Sequence, residues 1–343
     1  MKTVLAFDSY KGCLSSSEVA ASAADAVRAV YPDSEIVELP VADGGEGTVE
    51  ALASVMGGRI VTAEVSDPLG RPVTAGYGIA GNVAIIEVSA ACGLTLLSPS
   101  ERNPLAATTR GVGEMILDAV ARGCKRFLIG LGGSATVDGG RGMIETPGFI
   151  EKTRGLKFTV ACDVSTSFIG PQGASRVFAP QKGASAAEVE LLESRLCEYA
   201  SEIELFTGVD VRNMPGAGAA GGLGGAFHAY LGAELVPGID MVLDALDFDS
   251  IIGDADLVIT GEGCSDCQTA KGKTPCGVLR RASRHGIKVA LVSGEIRDRD
   301  ELSLLGFTHM IAATPRGMEL QDALRPEVAA ENVRKAVLEL LKY

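Results

Sequence analysis

Four aspartates and one lysine stand where the chain leaves apolar runs for glycine-rich loops. Asp43 lies in Val41-Ala-Asp-Gly-Gly-Glu-Gly47 and Asp138 in Gly132-Gly-Ser-Ala-Thr-Val-Asp-Gly-Gly140. Asp163 ends an apolar run, Asp266 follows Gly261-Glu-Gly263, and Lys11 lies in Asp8-Ser-Tyr-Lys-Gly12. Such loops free backbone N–H groups, which together with helix N-termini make nests for anions. Magnesium needs only a few carboxylate oxygens and keeps waters. A lysine between a strand and a helix can pair with a carboxylate or phosphate. Singly, an Asp beside a Gly is often just a turn former. The loop 216–225 reads equally as close helix packing, and Lys11 as a solvated loop residue. Five such loops (8–12, 43–47, 132–140, 216–225 and 261–266) in one chain are harder to dismiss. They point to phosphoryl transfer, which needs positioning, a divalent cation and positive charge more than covalent help.

Other chemistries are excluded by spacing. Gly272-Lys-Thr274 imitates the end of a P-loop, but the first glycine would fall on Cys267. Gly216-Ala-Gly-Ala-Ala-Gly221 spells a dinucleotide fingerprint, yet Arg212-Asn-Met-Pro215 before it is no strand. No G-x-S-x-G elbow occurs. Cys264 and Cys267 form a C-x-x-C without a second pair or a nearby His, so the eight cysteines read as thiols. His228, His285 and His309 are isolated within helix or strand patterns.

The elements that must position these loops follow from pattern. Thr3 to Phe7 is a buried strand, and Ser15 with Glu18 forms a capping box for the next helix. Strand–loop–helix alternation at the start resumes after roughly residue 235, which requires a parallel sheet with covering helices. The middle differs: the turns Asp67-Pro-Leu-Gly70 and Gly81-Asn82 suggest hairpins. A split parallel-sheet domain, 1–58 with 236–343, and an inserted α/β domain, 59–235, explain this. At 343 residues, two domains are expected. The net charge of −13, with no basic stripe and no Trp, argues against nucleic acid and against an anionic membrane surface. No apolar run reaches the ~20 residues of a membrane span, so a cytoplasmic location is expected. Oligomeric state has no signature, and a homodimer is left open.

Taken together, the loops resemble the ATP-dependent glycerate kinase family of the glycerate 2-kinase type. The matching stretches include Asp8-Ser-Tyr-Lys-Gly-Cys-Leu-Ser15, Pro40-Val-Ala-Asp-Gly-Gly-Glu-Gly-Thr48, Gly130-Leu-Gly-Gly-Ser-Ala-Thr136 and Pro180-Gln-Lys-Gly183. Pro215-Gly-Ala-Gly-Ala-Ala-Gly-Gly222 and Ile259-Thr-Gly-Glu-Gly263 follow in order. The resemblance implies a flavodoxin-like domain from both chain ends, a second mixed α/β domain inserted into it, and an active site in the cleft between them. It implies ATP with Mg²⁺ as cofactors, D-glycerate as acceptor and 2-phosphoglycerate as product, in glycerate or glyoxylate catabolism. A related hydroxy or sugar acid as acceptor, and a non-catalytic homologue, remain alternatives. ATP phosphates are expected on Gly132, Gly133, Ser134 and Thr136 and on Gly216, Gly218, Gly221 and Gly222, with Mg²⁺ on Asp43 and Asp163. Glycerate is expected at Ser9, Lys11, Gly44, Gly45, Glu262 and Gln268. The catalytic set is Lys11, Asp43, Asp138, Asp163 and Asp266, with Asp266 or Asp138 orienting or deprotonating the acceptor. Three departures stand out: Val137 where Asn is expected, Cys264 where Arg is expected, and a short stretch 142–157 that bears on the support of Asp138.

Overall fold

A computed structural model describes residues 1–267, 269 and 272–342. Its strands in chain order are β1 (Lys2–Phe7), β2 (Glu35–Glu38), β3 (Arg59–Ser66), β4 (Pro72–Ala80), β5 (Val83–Glu87), β6 (Arg126–Gly130) and β7 (Lys157–Ala161). Then come β8 (Glu234–Val236), β9 (Leu257–Gly261), β10 (Cys264–Ser265), β11 (Lys288–Ser293), β12 (Glu295–Ile296) and β13 (His309–Ala312). The chain divides into two compact units, residues 1–43 with 242–343 and residues 44–241.

Unit 1 is built on a parallel sheet in the order β13-β11-β9-β1-β2. This is the flavodoxin-like order, in which the chain changes direction across the sheet beside β1. β1 is buried from Thr3 to Phe7, so its residues are apolar on both faces, as a central parallel strand requires. The helix Ser16–Val30 begins at the expected capping box: Ser15 Oγ accepts from the Glu18 N–H, and Glu18 returns to the Ser15 N–H. Its Val19, Ala23 and Val27 face a core shared with Val333, Ala336 and Leu340 of the terminal helix Pro326–Leu340.

Unit 2 holds a mixed sheet in the order β3-β4-β5-β6-β7-β8. β3, β4 and β5 pair antiparallel through the two expected turns, and β5 to β8 run parallel. The chain joins this unit after Asp43, earlier than the boundary at 58 drawn from the sequence. The cause is the helix Thr48–Val55, which packs on β3, β4 and β5. The short stretch after Gly140 is an integral part of the core here: Met143 and Phe149 are fully buried against Phe158 and Phe227.

Candidate active site

The ends of β1, β9, β11 and β13 open into a cleft of about 1080 Å³ within unit 1. Open α/β sheets bind ligands outside the carboxyl ends of their strands, at the switch point. Asp8, Ser9 and Lys11 enter it from the turn after β1, Asp43 from the segment after β2, and Glu262 and Asp266 from the turn after β9. Five of the expected residues (Ser9, Lys11, Asp43, Glu262 and Asp266) therefore share one cleft. Gln268 lies outside the described residues.

Two further groups there were missed in the sequence. Asp8 is 5% exposed. Its Oδ1 accepts from the Ser9 N–H at 2.7 Å and its Oδ2 from Thr274 Oγ1 at 2.8 Å. Burial, and then the neighbouring Asp43 carboxylate, push its carboxyl from 3.8 up to about 6. A base poised near neutral pH is what proton abstraction favours. Lys273, the other addition, lines the same cleft and its charge opposes the upward shift that burial imposes on Glu262. Glu262 is itself fixed, accepting from Thr269 Oγ1 at 2.6 Å and Ser265 Oγ at 3.1 Å. The signal for Asp8 is local, a carboxylate directly after the buried strand β1.

In place of the expected arginine, Cys264 stands on β10, whose partner β12 carries Glu295 opposite it. Arg297 follows that strand, its N–H bonded to Ser265 O at 2.8 Å, so a guanidinium borders the cleft beside Cys264.

The remaining candidates belong to unit 2. The Gly44–Gly45 segment lies across the ends of β6 and β7: a Cβ on Gly44 would come 2.5 Å from Ala161 Cβ, and one on Gly130 2.4 Å from Gly44 O. Asp163 Oδ1 accepts from the Gly238 N–H at 2.9 Å. Gly132 and Gly133 are exposed at the head of their loop. Beneath them Lys182, 3% exposed, donates from Nζ to Ser134 Oγ at 2.9 Å and Thr136 O at 2.8 Å. Burial lowers this ammonium to about 8. Lys182 gives the motif Pro180-Gln-Lys-Gly183 its role, as a brace under this loop.

Asp138 and the 216–222 loop differ from expectation. Asp138 Oδ2 accepts from the Thr109 N–H and Oγ1, both at 2.8 Å, and from the Gly142 N–H at 3.1 Å. Its Oδ1 accepts from the Gly140 N–H at 3.0 Å. Four donors tie it to the loop and to the start of the helix Arg110–Ala121, so the short stretch after it leaves it well held. In the glycine loop, a Cβ on Gly218 would lie 2.1 Å from Ser167 O, and one on Gly221 2.0 Å from Thr136 O. The N–H groups of Gly218 and Gly222 already donate to Thr166 O and Gly218 O. These glycines serve close packing, and those two amides are spent before any phosphate arrives. Val137 is 2% exposed and packs in one core with Phe168, Leu196 and Tyr199.

The glycerate kinase family model matches residues 3–151 and 144–343. A Bacillus subtilis (strain 168) protein named glycerate kinase is 41% identical over 371 residues, covering 99% of this chain and 97% of that protein. Since that alignment exceeds the chain of 343 residues by 28 (371 less 343), at least that many positions have no counterpart here. The two family matches meet at 144–151, which puts the break in the short stretch. An Escherichia coli (strain K12) protein named glycerate 2-kinase is 43% identical, covering 87% of this chain and 86% of that one. A solved structure from Salmonella typhimurium LT2 bearing the name glycerate kinase 2 superposes with a TM-score of 0.89 at 41% identity, covering all of this chain and 97% of that one. A parallel sheet whose switch-point cleft gathers acids and lysines, in a chain matched from end to end, has one consistent assignment: the protein belongs to the glycerate kinase family and is a phosphotransferase.

Proposed function

We propose that this kinase transfers the γ-phosphoryl group of ATP to the 2-hydroxyl of D-glycerate, giving 2-phosphoglycerate, as a cytoplasmic step in the breakdown of glycerate or glyoxylate. The observation that carries the reading is Asp8, a buried carboxyl raised to about 6, in one cleft with Lys11, Lys273, Asp43 and Glu262. Lys11 and Ser9 receive the acceptor's carboxylate. Asp8 takes the proton of the attacking hydroxyl, its other bonds to Ser9 and Thr274 keeping the carboxylate aimed. Lys273 balances negative charge on the transferred group. Among the described residues no three acidic, His or Cys side chains form a metal cluster. Mg²⁺ is usually held by one or two carboxylates plus phosphates and water. Asp43 is the carboxylate we assign to it, and bound there the ion would spread the phosphate charge. The exposed Gly132–Gly133 backbone, backed by Lys182, offers N–H groups to an anionic oxygen in unit 2.

Phosphorus NMR of the product from ATP with D- or L-glycerate tests this. The expected result is 2-phosphoglycerate from the D acid. A 3-phosphoglycerate product, or no acceptor-dependent ADP release, overturns it.

A further inference from the structure

The unit 1 cleft is too large for its polar end alone. Pockets for drug-sized ligands run ~300–1,000 Å³, and this one reaches about 1080 Å³ although the proposed acceptor has three carbons. The chemistry changes along it. Asp8, Lys11, Glu262 and Lys273 line it from the turns after β1 and β9, whereas the segment after β13 and the start of the terminal helix contribute Met318, Leu320, Ala323, Leu324 and Ala329. Leu320 is 71% exposed and Leu324 42% exposed. Two exposed leucines lining a cavity mark a surface that gains by being covered. Set into this wall is one amide. Asn332 is 6% exposed, and its only hydrogen bond among the described residues runs from Nδ2 to Met318 Sδ at 3.5 Å, a weak acceptor. Its carbonyl oxygen and second N–H are left for a ligand. Arg316 lines the same cavity with no ion pair among the described residues.

A flat apolar ligand with donor and acceptor on one edge and negative charge at its other end matches this wall. We propose that the apolar end of the unit 1 cleft holds the purine ring of the nucleotide donor. Met318, Leu320 and Leu324 cover its faces, Asn332 reads its polar edge, and Arg316 meets its phosphates. An amide side chain can give and take a hydrogen bond on adenine at once, which an aliphatic wall cannot. The inference rests on the ATP-dependent kinase reading for the ligand's identity, and it concerns a part of the cleft that reading does not use.

Calorimetric titration of the full chain with ADP and, separately, with pyrophosphate tests it without any acceptor. The variants are Leu320→Asp, whose exposure spares the fold, and Asn332→Ala, with Leu205→Asp, a 90% exposed position in unit 2, as the control. The expected result is ADP affinity at least tenfold weaker in the first two, with pyrophosphate affinity unchanged and the control like wild type. ADP affinity equal to wild type in a folded Leu320→Asp overturns the site, even if Asn332→Ala fails to fold. An equal loss for ADP and pyrophosphate also overturns it, since the wall would then act on phosphates. Selective loss of ADP binding in a protein that does not phosphorylate glycerate upholds the site and defeats only the acceptor reading.

Discussion

Single side chains near the candidate sites divide into charge carriers and holders. Lys11 is exposed and lines the cleft, so its removal leaves the core untouched. A charge-assisted hydrogen bond is worth about 1.5–3 kcal/mol. Lys11→Ala is therefore expected to raise KM for glycerate roughly 10- to 150-fold, with an unchanged melting temperature, measured by steady-state kinetics and thermal unfolding. Lys182 is the opposite kind of residue. It is buried, and its two hydrogen bonds brace Ser134 and Thr136 from below. Lys182→Met keeps most of the stem but strips both acceptors of their donor, at about 1–3 kcal/mol for each acceptor left unsatisfied. Losing the buried ammonium, which is lowered to about 8, offsets part of this. The variant's deficit should then shrink as pH falls from about 10 to 7, where wild type must carry the costly charge. Urea unfolding across that range checks it, and a deficit that grows toward pH 7 would refute the assignment.

At the scale of elements, two glycines of similar setting in sequence have different duties. Gly12 is at φ +75° with nothing within 4 Å of a built Cβ, so Gly12→Ala meets only the backbone cost of about 1–2 kcal/mol. Gly218 would drive a Cβ to 2.1 Å from Ser167 O, and Gly218→Ala must displace the loop. We expect a loss above about 3 kcal/mol, beyond the usual range of single changes, read from urea midpoints of the two variants. This contrast explains what the sequence could and could not convey. β1, the capping box at Ser15 and the hairpins were legible because apolar period, cap chemistry and turn dipeptides are local signals. The role of the 216–222 glycines was not, since a nest and a packing contact have the same composition. The helix Ala186–Thr207 carries a mixed signal as well. Ser185 and Glu188 gave it a capping box, but exposed Leu191, Leu205 and Phe206 blur its apolar stripe. Asp8 and Lys273 are 265 residues apart (273 less 8), and only the pairing of β1 with β9 puts them in one cleft.

For the whole chain, the order of pairing sets which pieces can stand alone. All strands of the unit 2 sheet and both of its cores come from residues 44–241. That fragment is expected to unfold cooperatively in urea, and a non-cooperative, molten response would contradict the division. Residues 1–43 alone should stay unfolded, because β1 obtains a neighbour on its second edge only from β9. The net charge of −13 disfavours anions at long range, so binding of two anionic substrates depends on the cations grouped at the cleft. The claim that this cleft carries the chemistry is tested most directly in the intact protein by kcat/KM for glycerate against pH, with Asp8→Asn alongside. With Asp8 ionised as the proposed base, wild-type activity should fall as pH drops toward its carboxyl, which burial holds above the ordinary 3.8. Asp8→Asn should lose about 10²–10⁴ in rate together with that acid limb. An Asp8→Asn enzyme with wild-type rate and the same acid limb would contradict the account.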